Sequence, residues 1–358
     1  DVPVCTLLSG GLDSSALTAI AADHYRQSGQ GAVETYSIDY KDNDKHFKAN
    51  LFQPNPDAPW IERMVSYLGT RHHAVQFDTP ELIDSLLPAM RARDLPGMAD
   101  VDGSLYLFCL EIKKGATVAI SGEAADEVFG GYPWFHREEL LSADTFPWSV
   151  SRGNLTRLLT KEAADWLRPD EYLNQRYSEA LSEVPHLAGE SGRARRMREI
   201  SYLNITRFMP TLLDRKDRMS MAAGLEVRVP YCDHRLIDYV WNIPWETKMA
   251  GGREKGILRN AMKGILPDEV LFRKKSPYPK THNPSYLAAT RSWVKDILND
   301  PASPVLQILD AERIRQLADI GDGKLDLPWF GQLMSTPQLF AYIGQLDAWL
   351  REYKVAIK

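Results

Sequence analysis

An apolar run from Val2 to Leu8 breaks into LLSGGLDSSALTAIAADHY, so that Ser9, Gly10, Gly11, Asp13, Ser14 and Ser15 crowd into one turn between a strand pattern and a helix pattern. Two adjacent glycines admit backbone conformations and close approaches that other residues resist. A helix starting at such a turn leaves its first N–H groups and the positive end of its dipole facing outward. The serine hydroxyls add further donors. This turn suits an anion, and phosphate is its natural occupant.

The context is the one such a turn requires. Strand-like runs alternate with helical patterns along the first third: Val2 to Leu8 then Ser14 to Tyr25, Glu34 to Tyr40 then Trp60 to Leu68, His73 to Phe77 then Pro80 to Arg93. A fourth run, Thr117 to Ile120, follows an apolar helix pattern over Leu105 to Ile112. Such alternation predicts an α/β fold with a doubly wound parallel sheet, covered by helices on both faces. Ligands of that architecture bind at the carboxyl ends of the strands, where the turn falls. From about residue 140 helical periodicity takes over, including an amphipathic helix over 255–266, while 184–196 and 298–304 read as exposed connections. We therefore divide residues 1–358 into an α/β core over 1–140 and a mainly helical part over 141–358 that completes the active site.

Composition limits the partners. With 358 residues, 44% hydrophobic and 25% charged, the chain can build a sizeable core, and a net charge of −5 offers no general field for nucleic acid or anionic membrane. No stretch approaches the roughly 20 apolar residues of a membrane span. Cys5, Cys109 and Cys232 lie far apart without a CxxC motif, which favours reduced thiols and the cytoplasm. Without an initiator Met, and with its first strand almost at once, the chain reads as a fragment of a longer protein cut at Asp1.

The turn is not the Walker type, since GxxxxGK[ST] is absent, and it is not the dinucleotide fingerprint GxGxxG. Asp13 as a mere helix cap is the alternative to a ligand role. A carboxylate beside a polyphosphate is repulsive unless a divalent cation lies between them, so a ligand role for Asp13 implies Mg²⁺. The fourth strand ends in a matching arrangement, AISGEAADEVFGGY, with Ser121 and Gly122 followed by Glu123, Asp126 and Glu127. In a parallel sheet both strand ends open on one edge, so the two acid-bearing turns should face one cleft. Glu123, first after the glycine, is the candidate acid/base. A basic run, FRKKSPYPKT, brings Arg273, Lys274, Lys275 and Lys280, which by itself reads equally as a solvated face or a cationic clamp for a leaving group.

Together LLSGGLDSS, SGEAADEVFGGY, LLDRKDRMSMAAGLEVRVPYCDHR and RKKSPYPKTHNP resemble the ATP-pyrophosphatase (PP-loop) synthetases, and in this order the synthetase domain of the glutamine-hydrolysing asparagine synthetases; the likeness runs from Asp1 to Pro284. The resemblance implies ATP contacts at Leu8, at Ser9, Gly10, Gly11, Asp13, Ser14 and Ser15, at Ile38, and at Ser121 and Gly122. It implies Mg²⁺-pyrophosphate acids at Asp13 and Asp126, a glutamate for the acyl-adenylate chemistry at Glu123, and a pyrophosphate-contacting lysine at Lys275. The chain reads Glu-Ala-Ala-Asp-Glu where many members have glycine at one or both middle positions, a change that tightens the turn but keeps every charge. The implied reaction converts aspartate, ATP and ammonia to asparagine, AMP and pyrophosphate through β-aspartyl-AMP, with the ammonia normally supplied by an N-terminal glutaminase domain that is absent from this sequence. The rival readings are a β-lactam synthetase-like or peptide-cyclising enzyme and a non-catalytic nucleotide-binding module. A homodimer is compatible with all three. Asp100, Asp102, Ser104 and Arg228 are further candidates for substrate contact, explained as well by loop polarity or ion pairing.

Overall fold

The computed structural model describes residues 2–47, 55–320, 328–329 and 333–357, which leaves Asp1 outside the described residues. Five parallel strands form one sheet: β1 (Val4–Leu7), β2 (Glu34–Tyr40), β3 (Arg71–Phe77), β4 (Val118–Ile120) and β5 (Glu226–Arg228), in the order β3-β2-β1-β4-β5. The α/β expectation holds. Helix Leu12–Ser28 follows β1, Ala58–Leu68 precedes β3, and Thr79–Arg93 and Asp100–Lys113 separate β3 from β4.

The interior strand β1 is inward-facing on both sides, as a parallel sheet requires. Cys5 packs with Leu82, Leu86 and Leu105 on one face, and Leu8 joins Leu12, Ala16, Ile61 and Met64 in the core on the other. The Thr6 and Thr18 hydroxyls meet at 2.9 Å, so the polar atom that β1 directs at its own helix is satisfied.

Two expectations need correction. The helix expected over 255–266 covers only Gly256–Ala261; Gly264 takes a left-handed φ of +78° and leaves Ile265 exposed. The connection expected over 184–196 turns helical at Gly192, where Gly192–Leu203 begins and buries Met197, Ile200 and Leu203. A strand from the helical part, β5, pairs with β4 at Val118 to Glu226 and Ile120 to Arg228, so this part contributes to the sheet itself.

The strand order fixes where the site lies. After β1 the chain winds outward through β2 and β3, then returns to the other side of β1 as β4. The β1/β4 boundary is therefore the topological switch point, where doubly wound sheets leave a crevice. Register pairs Thr6 with Ile120, so the turns that follow the two strands open on the same edge of the sheet.

Candidate active site

A cavity of about 1020 Å³ opens at this switch point. Leu8, Ser9, Gly11, Asp13 and Ser14 line it from the first turn, Ile38 from β2, and Ser121, Gly122, Glu123 and Asp126 from the second. Gly10 and Ser15 lie behind the lining. Gly10 has φ +67°, and a Cβ there would stand 2.6 Å from the Trp60 backbone, so both the conformation and the close approach require glycine. The Ser15 hydroxyl is fully buried and has no hydrogen-bond partner among the described residues. Ser9 N–H donates to Ser14 Oγ at 3.2 Å, and Ser14 donates to the Gly11 carbonyl at 3.3 Å, which folds the turn around the helix start.

The second turn docks on the first. A Cβ at Gly122 would lie 2.9 Å from the Ser14 amide nitrogen, so only glycine lets the chain pass this helix N-terminus. Two residues on, Ala124 holds a left-handed φ of +74° while Ala125 is helical. This is the conformation that glycine adopts without cost, and it gives the Glu-Ala-Ala-Asp-Glu departure its physical meaning. We expect Ala124→Gly to raise stability by about 1 kcal/mol, read from the urea midpoint.

Asp13 is no cap: helix Leu12–Ser28 has Gly11 at its N-cap position and no capping side chain. Its carboxylate instead accepts from Lys255 Nζ at 2.9 and 2.7 Å, and the same ammonium donates to Asp126 at 2.7 Å. Lys275 donates to the other Asp126 oxygen and lies 4.3 Å above the Tyr132 ring. The two acids and two lysines thus form one connected chain of charge. Burial opposes ionisation of Asp126, but Lys255 and Lys275 outweigh it and hold the carboxyl well below its ordinary range. Burial pushes Asp13 upward, with Lys255 offsetting part of the effect. Burial also works against the Lys255 ammonium, yet Asp126 and Asp13 keep it charged far above neutral pH.

The basic run divides its tasks. Arg273 points inward, donating to the Ser9 carbonyl at 2.9 Å, pairing with Asp57 and lying over the Trp60 ring, so it braces the first turn from below. Lys275 alone reaches the acids. Lys280 instead donates to Ser335 at 3.1 Å, away from them.

Glu123 faces the cavity with one oxygen 3.5 Å from Lys216 Nζ, while its Oε2 is buried without a partner among the described residues. Neighbouring Glu127 is buried and accepts from the Tyr132 hydroxyl at 2.6 Å. Burial and the Asp126 charge raise its carboxyl from 4.5 to about 7. Because the folded value is the higher one, this group leaves stability intact below pH 4.5 and erodes it as pH rises toward 7. The loss amounts to at most about 3 kcal/mol. Glu127→Gln keeps an acceptor for Tyr132, so it should flatten the dependence of unfolding free energy on pH across that window.

Lys255, Lys216 and Arg215 escaped the sequence reading. Lys255 sits in GGREKG, a run that looks solvated. Lys216 carried a legible signal: with Met209, Met219 and Ser220 it occupies the buried stripe of helix Met209–Ala222, where a lysine is out of place. Of the extra substrate candidates, Arg228 faces away, pairing with Glu226 in the open, and Asp102 is spent on Arg215 at 2.6 Å. Among the described residues, no group of three or more His, Cys, Asp or Glu side chains could hold a metal ion, so a metal here would rest on two carboxylates and its ligand.

A parallel sheet with a serine-glycine-aspartate turn at its switch point defines the PP-loop type of α/β domain. The chain belongs to the asparagine synthase family, whose family model matches residues 1–351. It is 53% identical over 357 residues to asparagine synthetase [glutamine-hydrolyzing] 3 of Bacillus subtilis, covering 100% of this chain and 58% of that relative. Asparagine synthetase [glutamine-hydrolyzing] 1 of the same organism is 27% identical, covering 86% of this chain and 50% of the relative. The amidase chyE of Penicillium rubens is 28% identical, covering 78% and 49%. The chain thus spans about half the length of the curated relatives it matches.

Proposed function

We propose that the chain is the synthetase part of a glutamine-hydrolysing asparagine synthetase, a ligase that uses ATP to join ammonia to the β-carboxylate of aspartate. The observation that supports this reading is one cavity at the β1/β4 boundary shared by Ser9, Gly11, Asp13 and Ser14 of the first turn, an unpartnered Glu123 oxygen, and Lys216, Lys255 and Lys275. The β-carboxylate attacks the α-phosphorus of ATP; the bond to the bridging oxygen breaks, giving β-aspartyl-AMP and pyrophosphate. Ammonia then attacks the acyl carbon, AMP leaves with the bonding electrons, and Glu123 takes the proton lost by nitrogen.

The residues divide this work. The first turn and Ser121 and Gly122 cradle the nucleotide, with Leu8 and Ile38 against its apolar parts. Asp13 and Asp126, bridged by Lys255 and lining the cavity, are hard carboxylate donors that would hold Mg²⁺. Bound there, Mg²⁺ supplies charge neutralisation on the pyrophosphate. Lys275, tethered through Asp126 and the Tyr132 ring, has the reach to follow the leaving group.

In the cell we assign the chain to the cytoplasm, with a glutaminase domain as its ammonia source and self-association as a homodimer. No helix among the described residues is long and apolar enough to cross a membrane, and the three cysteines are free thiols, in keeping with a reducing compartment. The deciding experiment is exchange of labelled pyrophosphate into ATP. Exchange that needs aspartate, with asparagine formed from ammonium salts and none from glutamine by residues 1–358 alone, supports the reading. Exchange driven by a different carboxylic acid overturns it in favour of amide formation on that acid.

A further inference from the structure

Lys216 is a buried cation of this cavity that the proposed mechanism leaves without a task. Its side chain is 7% exposed, on the buried stripe of helix Met209–Ala222, and its nearest acid is Glu123 at 3.5 Å, beyond the usual length of a charge-assisted hydrogen bond. Burying an ammonium is expensive unless its donors are engaged, and this pair engages them poorly.

The neighbouring cations are already committed. Arg215 donates to Asp102 at 2.6 Å and to the Val101 carbonyl, and lies over the Tyr278 ring. Arg93 meets the other oxygen of Asp102 at 3.3 Å. Lys255 and Lys275 are tied to Asp13 and Asp126. Arg93 also meets Asp214 at 3.6 Å, so Asp102, Asp214 and Glu123 match Arg93, Arg215 and Lys216 in number, and Lys216 is the member of this group held least closely by its acid.

Position gives that charge a meaning. Gly122 touches the helix N-terminus at Ser14, and Glu123 follows it directly, so Glu123 lies between the phosphate turn and Lys216. An acid activated at the phosphate turn and attacked beside Glu123 would direct the rest of its structure toward Lys216.

We propose that Lys216 is a specificity residue that binds the second carboxylate of the acceptor acid, the α-carboxylate when that acid is aspartate. The assignment rests on the aspartate reading above and goes beyond it by naming the group that recognises the unreactive end of the substrate. Lys216 donates to that carboxylate, with its pairing to Glu123 loosened when substrate binds.

The test compares three acids in the intact chain by pyrophosphate release: the KM for aspartate, and inhibition constants against aspartate for succinate, which lacks the amine, and β-alanine, which lacks the α-carboxylate. Lys216→Met should raise the aspartate KM and the succinate inhibition constant by roughly tenfold or more, the worth of a hydrogen bond to a charged group. The β-alanine constant should move less than twofold, and so should the KM for ATP. Lys216→Arg, which keeps the charge if methionine is not tolerated in the fold, should retain the preference for succinate over β-alanine. If all three acids weaken alike, Lys216 only supports Glu123 and the proposal fails. If none changes, or the ATP KM rises instead, it fails as well. A wild-type chain that binds succinate and β-alanine equally would also refute it, even with aspartate as the substrate, whereas a chain that ignores aspartate altogether overturns the functional reading on which the proposal rests.

Discussion

Asp126→Asn should lower aspartate-dependent pyrophosphate release by at least roughly 10²-fold, the scale on which a group that stabilises transition-state charge contributes. The fold should survive, and the reason lies in how the charges are shared. Lys255 bridges both acids, so removing the Asp126 charge leaves its ammonium paired with Asp13 at 2.7 Å, and the buried lysine is not stranded. Lys275 loses its carboxylate, but its side chain is 21% exposed and keeps the Tyr132 ring and solvent. The substitution thus separates stability from chemistry: the urea midpoint should stay near wild type while activity collapses. Asp13→Asn should behave alike, with Lys255 retained by Asp126. If Mg²⁺ is held by these acids, the concentration giving half-maximal release should rise in both variants. Release at the wild-type rate would mean that the acids serve only as counter-ions for the two lysines.

This sharing also shows which parts of the molecule were legible beforehand. Strands β1 to β4 were legible because each is an apolar or β-branched run that gives way to a helical pattern, and period alone separates the two. Strand β5 was not. It has three residues, and Glu226 and Arg228 point outward, so it exists only because β4 offers an open edge. The same contrast holds within the site. Asp13, Glu123 and Asp126 could be read because they stand a few residues past a strand end, where topology turns sequence position into spatial position. Lys255 could not, since its partner Asp13 lies 242 positions away and its burial follows from packing of the helical part against the sheet. The basic run lay between these cases. Its sequence announced cations, but only the fold decided that Arg273 braces the first turn and Lys275 faces the acids.

The other large effect is expected at Glu123, whose surroundings differ from those of the paired acids. Asp13 and Asp126 are engaged by short lysine contacts, whereas the nearest cation to Glu123 stands 3.5 Å away and its other oxygen is buried with no partner among the described residues. A carboxylate so arranged can accept a proton without first breaking a strong ion pair, which is what a base for ammonia attack requires. Glu123→Gln preserves size and an acceptor oxygen but removes that capacity. ATP affinity should stay within a few-fold of wild type, because Glu123 is not among the groups we assign to the phosphates, while asparagine formation should fall by roughly 10² to 10⁴-fold, the range for loss of a general base. The two half-reactions need separate measurement. With Glu123 acting on the second step, aspartate-dependent pyrophosphate exchange should persist at a substantial fraction of its wild-type rate as amide formation collapses. Equal loss in both steps would place its negative charge in the organisation of adenylation, and lost ATP binding would move it among the nucleotide-binding groups. Unchanged asparagine formation would remove it from the mechanism, and the proton would then have to leave through solvent in the cavity.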